Sequence, residues 1–266
     1  MSKPTFIIAE AGVNHDGSLE RAHALVDVAA DAGADAVKFQ TFRADKLATS
    51  RAAKAEYQVA NTQEAGSQQE MLRKLELSVD DHGALVKHCA QRGIRFMSTA
   101  FDAESLAFLG TLGMPAIKMP SGDITCAPLL LQAARLGSPL IVSTGMSTLA
   151  DIEAALGVLA FGLTSNAQPR GRGDFETAYA SAEGRRALQE RVSLLHCVTQ
   201  YPAAPEAVNL RAMDTMSGSS IVPSTAEWLA RICSTSVEPD RGRPTMKIGS
   251  EAGQPAPSRA TKKSRV

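Results

Sequence analysis

The fold of this chain is indicated by the stretch Phe6-Ile-Ile-Ala-Glu-Ala-Gly-Val-Asn-His-Asp-Gly17. A short apolar run stops at the acid Glu10, and a polar turn bracketed by glycines leads to Ser18, where a helical pattern begins. Such a pattern predicts a buried strand followed by a helix, the first unit of a parallel α/β fold, in which functional groups gather where strands end. Taken alone, the stretch fits a solvated strand end and an ordinary turn equally well.

The composition indicates a globular chain without a bias in charge. Hydrophobic residues make up 44% of the 266 residues, and Lys+Arg and Asp+Glu number 28 each, so the formal net charge is zero. This balance gives no reason to expect nucleic acid or an anionic membrane as partner. The four scattered cysteines favour reduced thiols in a cytoplasmic protein over a disulfide framework or a zinc site. No apolar run reaches the roughly 18 residues that a membrane helix needs.

Strand-like and helix-like segments alternate along the chain. The predicted strands are 6–9, 36–40, 95–98, 116–119, 139–142 and 192–197. The alternation predicts a parallel sheet, and its regular spacing favours a (β/α)8 TIM-type barrel with six recognisable strands, and therefore incomplete, over an open doubly wound sheet. The connection 41–78 is too long for a simple loop, so it is either a lid over a substrate or a surface insertion.

The pattern changes after residue 216. Residues 1–216 form the predicted barrel domain, and 217–266 show no convincing alternation of strands and helices. From Glu238 onward this tail is rich in Pro, Gly, Ser, Arg and Lys, a composition that cannot bury enough apolar surface to offset the entropy lost on ordering. We therefore expect a disordered, solvated tail rather than a site for nucleic acid.

Polar side chains follow the predicted strands, and in a barrel they would converge on one face. Two lysines, several hydroxyls and glycine-flanked amides are suited to holding a phosphate, and the carboxylates are suited to sugar hydroxyls or proton transfer. Each residue alone could equally be a structural ion pair or a polar strand cap, and His88, on a helix, fits ordinary surface. The strand-end set is Glu10, Asn14, His15, Lys38, Gln40, Ser98, Thr99, Lys118, Ser121, Asp123, Ser143, Thr144, Thr199 and Tyr201.

Six ordered motifs containing these residues resemble the bacterial sialic acid synthase family, which comprises N-acetylneuraminate synthases and their legionaminic and pseudaminic acid relatives. The resemblance covers about Pro4 to Met216. It implies a condensation of phosphoenolpyruvate with an N-acetylated aldose, usually N-acetylmannosamine, to a nonulosonic acid and phosphate, in a homodimer that uses manganese or magnesium. The motifs are IAEAGVNHDGS (8–18), VKFQT (37–41), STAFD (98–102), KMPSGD (118–123), STGM (143–146) and LLHC (194–197) with Tyr201-Pro202.

The resemblance also implies roles for individual residues. Glu10, Lys38 and Gln40 correspond to catalytic positions, and Asn61 and Asp123 to sugar contacts; Asp123 stands where Glu is usual, so its reach is shorter. The positions expected to bind phosphoenolpyruvate are Thr99, Lys118, Ser121, Ser143 and Tyr201, beside Lys38 and Gln40.

The resemblance ends where the family continues. Members add two more barrel strands, whose histidines bind the metal, and an antifreeze-like domain; none of the five histidines here matches a ligand position, so no metal ligand is assigned. We expect a truncated or frameshifted chain, the alternative being an unrelated natural tail. Two sheet edges would then stay open, which predicts little activity and a tendency to aggregate. A fragment that only binds a ligand or partner, and another phosphate-handling barrel aldolase or synthase, remain alternatives.

Overall fold

The computed structural model describes residues 5–49, 67–198 and 204–213, and the backbone of 235–240 and 243–246. Its strands are β1 (Ile8–Gly12), β2 (Ala36–Thr41), β3 (Arg95–Ala100), β4 (Ile117–Met119), β5 (Leu140–Ser143), β6 (Val192–Leu195), β7 (Thr235–Asp240) and β8 (Arg243–Met246). They lie in the order β6-β5-β4-β3-β2-β1-β7-β8. The first six run parallel to their neighbours, as predicted, and among the described strands β6 and β8, the two ends of the order, do not pair, which agrees with the predicted incomplete barrel.

Helices connect the parallel strands. They are α1 (Leu19–Asp31), α2 (Ala44–Leu47), α3 (Gln68–Lys74), α4 (Val79–Arg92), α5 (Ala103–Leu109), α6 (Ala127–Arg135), α7 (Leu149–Thr164), α8 (Arg172–Ala180) and α9 (Ala182–Arg191), with 3-10 turns at Ser121–Asp123 and Pro205–Ala207. Ser18 caps α1 as expected, by accepting a hydrogen bond from the backbone N–H of Arg21. Within the described ranges, none of these helices has both the length and the apolar character needed to span a bilayer.

The strands present different residues to their two sides because successive side chains alternate. On the helix side, Phe39, Ile117 and Leu140 join a large apolar core with α1 and α4 to α7. On the inner side, Ala36, Met97 and Ala116 form a small apolar floor, against which Ile8 and Ile141 pack. The residues two positions further along each strand therefore form the next inner layer, towards the C-terminal ends of the strands.

The first strand begins later than predicted. It runs over Ile8–Gly12 and so contains Glu10 rather than ending before it, while Phe6 and Ile7 are 36% and 41% exposed. The Ile7 carbonyl accepts hydrogen bonds from the amides of Asp35 and Ala36, and sheet pairing starts one residue later, at Ile8 and Ala36. Glu10 consequently has a fixed backbone and a defined side of the sheet.

Two other regions differ from the sequence-based expectation. Residues 160–191, where no element was predicted, hold the end of α7 together with α8 and α9, whose sequences bury few residues and carry weak helical periodicity. In the tail, the backbone of β7 pairs with β1 in parallel and β8 is antiparallel to β7. For the remainder of 217–266, outside the described residues, disorder stays a prediction.

Candidate active site

The inner layer above the apolar floor is polar. Glu10, Lys38, Thr99, Lys118 and Ser143 each stand two positions after a floor residue on strands β1 to β5, so the alternation of side chains turns all of them inward. This is the convergence that the sequence predicted, and it involves adjacent strands: Glu10 is in register with Lys38, and Thr99 with Lys118.

The first half of this layer is an ion pair. Lys38 Nζ lies 2.5 Å from Glu10 Oε2 and donates a hydrogen bond to Thr99 Oγ1 at 3.3 Å. Lys38 is only 8% exposed. The other carboxylate oxygen, Glu10 Oε1, is buried and has no hydrogen-bond partner within the described part of the chain. A buried acceptor left unpaired is costly, which favours a donor from a ligand or water at this point.

The second half is built on Lys118. Its Nζ donates hydrogen bonds to Ser143 Oγ at 2.6 Å and to the backbone carbonyl of Met119 at 2.8 Å, and the residue is 7% exposed. Burial, with a smaller contribution from the positive charge of Lys38, lowers the pKa of Lys118 from 10.5 to about 7. Neutral hydroxyl and carbonyl partners do not offset the loss of hydration, so an anion bound here would stabilise the ammonium.

We call the space lined by the inner polar layer the pocket. Its rim contains Ser121, Gly145 and Cys197. Ser121 Oγ lies 3.5 Å from Cys197 Sγ, and a Cβ at Gly145 would stand 3.0 Å from Ser121 Oγ and 3.5 Å from the Cys197 carbonyl. A side chain at position 145 would therefore crowd Ser121, and glycine lets the turn after β5 approach it closely. Cys197 belongs to the LLHC motif but was not predicted as a site residue; its position just after β6 was the available signal.

Gly12 lies beside the side chains of two catalytic candidates, Glu10 and Gln40. Its φ is +54°, and a Cβ there would stand 3.4 Å from Glu10 Oε1 and 3.6 Å from Gln40 Nε2. Gln40 follows Lys38 on the same inner side of β2, so it extends the polar layer toward the pocket mouth.

Asp123 lies in the 3-10 turn after β4, half-buried, and burial raises the pKa of its carboxyl. Within the described part of the chain, the Asp123 carboxylate makes no ion pair or hydrogen bond with Lys38 or Lys118. Among the other expected site residues, Asn61, Thr199 and Tyr201 lie outside the described residues, so their roles stay predictions.

Two members of the strand-end set do not join the pocket. His15 is completely buried and packs against Phe39, which belongs to the helix-side core, with 6.1 Å between ring centroids. Ser98 faces the helix side as well, where it contacts Thr41. The expectation that these two converge with the others is wrong, because alternation along β3 and the turn after β1 direct them outward. His88 is not plain surface either: its Nε2 lies 2.8 Å from Asp27 Oδ1 and its ring stacks on His23.

The described residues do not fit a divalent metal. They contain no group of three or more His, Cys, Asp or Glu side chains that could hold an ion. In the pocket itself, the carboxylate of Glu10 already faces one ammonium, and a second, Lys118, is electrostatically coupled to it. Two cations beside one carboxylate make this layer suited to an anion rather than to Mn²⁺ or Mg²⁺.

Comparison with known proteins places these features in a family. Residues 25–223 match the NeuB family. The chain is 43% identical over 222 residues to the N,N'-diacetyllegionaminic acid synthase of Legionella pneumophila, covering 84% of this chain and 56% of that protein. It is 25% identical to the pseudaminic acid synthase of Helicobacter pylori, covering 80% and 55%. The chain thus spans little more than half the length of these relatives.

A solved structure agrees with the sequence comparison. The N-acetylneuraminic acid synthetase of Leptospira borgpetersenii, determined in complex with citrate, superposes with a TM-score of 0.60 at 29% identity, over 80% of this chain and 61% of that one.

Proposed function

The chain belongs to the NeuB family, and on that premise we propose that it takes part in condensing phosphoenolpyruvate with an N-acetylated aldose, such as N-acetylmannosamine, to a nonulosonic acid and phosphate. The observation that carries the proposal is the pair of buried lysines in the inner layer, Lys38 on β2 and Lys118 on β4, with Thr99 of β3 between these strands and Ser143 beside Lys118.

Charge supports phosphoenolpyruvate as the first substrate. The molecule carries a phosphate and a carboxylate, and buried ammonium groups bind such anions through charge-assisted hydrogen bonds. The low pKa of Lys118, caused by burial, indicates an ammonium that lacks an anionic partner. A bound phosphate would supply that partner and raise the pKa of Lys118 again, so the free energy of binding would include relief of the cost of burying the charge.

The hydroxyls would orient the bound anion. Ser143 Oγ accepts a hydrogen bond from Lys118, and Thr99 Oγ1 accepts one from Lys38. These contacts fix the directions in which the two hydroxyls can bind a ligand. Ser121, at the rim beside Gly145, adds a third hydroxyl. A ligand held by two cations and several hydroxyls has little rotational freedom, and this orientation is what brings an enol carbon within reach of an aldehyde.

Glu10 is proposed to act at the reacting carbons. Its ion pair with Lys38 fixes the carboxylate, and its unpaired Oε1 can accept a hydrogen bond from a sugar hydroxyl or from the water that adds as phosphate leaves. In the family that the chain resembles, a divalent metal polarises the sugar aldehyde; the described residues of this chain do not fit such an ion.

The condensation is tested by incubating the whole chain with phosphoenolpyruvate, Mn²⁺ and a panel of 2-acetamido sugars, and by measuring released phosphate together with the new 2-keto acid. The proposal expects both products in equal amounts with at least one sugar, and their loss in Lys118→Met. Phosphate release without a sugar-derived keto acid would contradict it.

A second candidate is a chain that binds phosphoenolpyruvate without turnover. The observation in its favour is that the described residues supply the anion-binding lysines but no group suited to the metal. Calorimetric titration with phosphoenolpyruvate, with and without Mn²⁺, separates the two: equal binding under both conditions and no product favours this candidate. The homodimer implied by the family resemblance and the cytoplasmic location suggested by the cysteines stay predictions.

A further inference from the structure

Behind the pocket, on the helix side of β2 and β3, lies a buried chain of hydrogen bonds that the proposed reaction does not use. His82 Nε2 lies 2.8 Å from Thr41 Oγ1, which lies 2.7 Å from Ser98 Oγ. His82 Nδ1 lies 2.7 Å from the carbonyl oxygen of Ser78, the N-cap of α4. His82, Thr41 and Ser98 are 1%, 7% and 0% exposed. We call these three residues with Ser78 the His82 chain.

The direction of the protons follows from the partners. The Ser78 carbonyl can only accept a hydrogen bond, so His82 Nδ1 must carry the proton and donate the hydrogen bond to it. In the neutral ring, Nε2 is then the acceptor and takes the hydrogen bond of the Thr41 hydroxyl. Thr41 Oγ1 in turn accepts from the hydroxyl of Ser98. Burial lowers the pKa of His82, which favours the neutral ring that this arrangement requires.

Two members of the His82 chain, Thr41 and Ser98, are sequence neighbours of site residues. Thr41 follows Gln40 on β2, and Ser98 precedes Thr99 on β3, with Gln40 and Thr99 in register. Because side chains alternate, the hydroxyls of Thr41 and Ser98 point to the helix side while Gln40 and Thr99 point into the pocket. A hydrogen bond between Thr41 and Ser98 therefore fixes the spacing of two inner residues from behind.

The consequence reaches the lysines. Thr99 Oγ1 accepts from Lys38 Nζ at 3.3 Å, a contact near the long end of the hydrogen-bond range that a small shift of β3 against β2 would break. Other titratable groups face His82 on the helix side. A charged His15 would repel a charged His82, whereas Asp81 favours the charged form of both rings and Asp16 that of His15. Phe96 and Phe108 close around the His82 ring edge-on.

We propose that His82 is a positioning residue, which through Thr41 and Ser98 holds the ends of β2 and β3 in the spacing that Gln40, Thr99 and Lys38 need to bind an anion. His82 does not touch the ligand. The proposal adds to the function proposed above and rests on it only for the ligand used in one of the two measurements below.

The test compares Thr41→Val, which keeps the shape of the side chain but removes the hydroxyl, with Leu188→Ala. Leu188 is a buried residue of α9, away from β2 and β3, so its truncation serves as a control for loss of stability alone. Thr41→Ser restores the hydroxyl and serves as the rescue variant. Denaturant concentrations are adjusted so that the variants are compared at equal stability.

The first measurement is amide hydrogen exchange, which needs no ligand. The proposal expects protection at 39–41 and 98–101 to fall at least tenfold in Thr41→Val relative to Leu188→Ala, with recovery in Thr41→Ser and no difference at the strand starts. Nitrogen-15 spectra of the wild type should show the His82 ring neutral with its proton on Nδ1. Equal protection in Thr41→Val and Leu188→Ala, or a proton on Nε2, would overturn it.

The second measurement is the dissociation constant of phosphoenolpyruvate by calorimetry. We expect Thr41→Val to weaken binding about tenfold, and Leu188→Ala and Thr41→Ser to stay within threefold of the wild type. Failure of the wild type to bind would count against the proposed function, while the exchange experiment would still decide the role of His82. Unchanged binding in Thr41→Val would overturn the positioning role.

Discussion

The two sides of the sheet at β2 and β3 differ in the charge and the pairing of their buried polar groups. On the inner side, Lys38 and Lys118 are buried on β2 and β4, close enough for the charge of Lys38 to lower the pKa of Lys118, and Glu10 keeps one oxygen without a partner among the described residues. On the helix side, His82 and Thr41 are buried as deeply but neutral, with each polar atom paired. The inner side buries charged groups of which Glu10 lacks a partner for one oxygen, whereas the polar atoms of the His82 chain are neutral and paired; His15, also on the helix side, keeps Nε2 buried without a partner among the described residues. The difference indicates that the inner side is built for a ligand, and that the helix side supports it.

The largest expected effect is a loss of stability in acid, caused by His15 on the helix side. His15 has its pKa lowered from 6.5 to about 4, chiefly by burial. Above pH 6.5 the ring is neutral in both states; between pH 6.5 and 4 the unfolded chain takes up a proton that the folded chain refuses. The free energy of unfolding should therefore fall by about 3 kcal/mol over this interval.

Urea unfolding across this pH range checks the prediction, with His15→Gln as the comparison. The variant should lose most of the dependence on pH between 6.5 and 4, while His82, whose pKa is also lowered by burial, retains a part of it. The same slope in both proteins would show that His15 is not buried in its neutral form.

On the inner side, Lys38→Met removes a cation from the pocket and leaves the Glu10 carboxylate unpaired beside the bound anion. The dissociation constant for phosphoenolpyruvate should rise at least about a hundredfold, equivalent to about 2.8 kcal/mol. Lys46→Met is the matched control, since Lys46 pairs with Glu104 on the surface and lies away from the pocket. A threefold change or less in Lys38→Met would place the anion elsewhere.

A smaller effect concerns protons. Lys118 has a pKa of about 7 without a ligand, lowered by burial and by Lys38, and a bound anion should raise it. Affinity should be full below pH 7 and should fall as the pH rises above it, by up to about tenfold per pH unit. Calorimetry at pH 8 in buffers of different ionisation enthalpy should detect proton uptake; binding without uptake would contradict the position given to Lys118.

The smallest effect separates strain from function. Gly12→Ala and Gly33→Ala both force alanine into a left-handed backbone, with φ of +54° and +76°, and each should cost about 1 kcal/mol of stability. The new methyl group meets nothing within 4 Å at Gly33, but at Gly12 it enters the space between Glu10 and Gln40. Only Gly12→Ala should therefore also weaken phosphoenolpyruvate binding, by a few-fold; equal affinities would show that this space is not used.

The sequence predicted the parallel strands well because they depend on local periodicity, but strand-end position selected polar residues on both faces, Thr99 on the inner side and Ser98 on the helix side. Alternation places Lys38 and Thr99 on one side of adjacent strands, and the polar layer follows from it. The ion pair of Glu10 with Lys38 was not predicted, because the start of β1 is set by pairing between Ile8 and Ala36, which local pattern does not reveal.

The helix side was harder to read. His82 and Thr41 are forty-one positions apart, and their contact depends on how α4 packs on β2, which is a tertiary property. His15 was placed with the pocket because it follows a strand, whereas the turn after β1 buries it against Phe39. Strand-end position alone therefore does not distinguish a residue that faces a ligand from one that supports the strand behind it.

The most direct test of the central claim is a calorimetric titration of the whole chain with phosphoenolpyruvate, alongside pyruvate and inorganic phosphate. If the inner layer of β1 to β5 is an anion pocket, phosphoenolpyruvate should bind at one site per chain, more tightly than either fragment, and Lys118→Met should abolish the binding. Absence of binding at millimolar phosphoenolpyruvate, or equal binding by Lys118→Met, would contradict it.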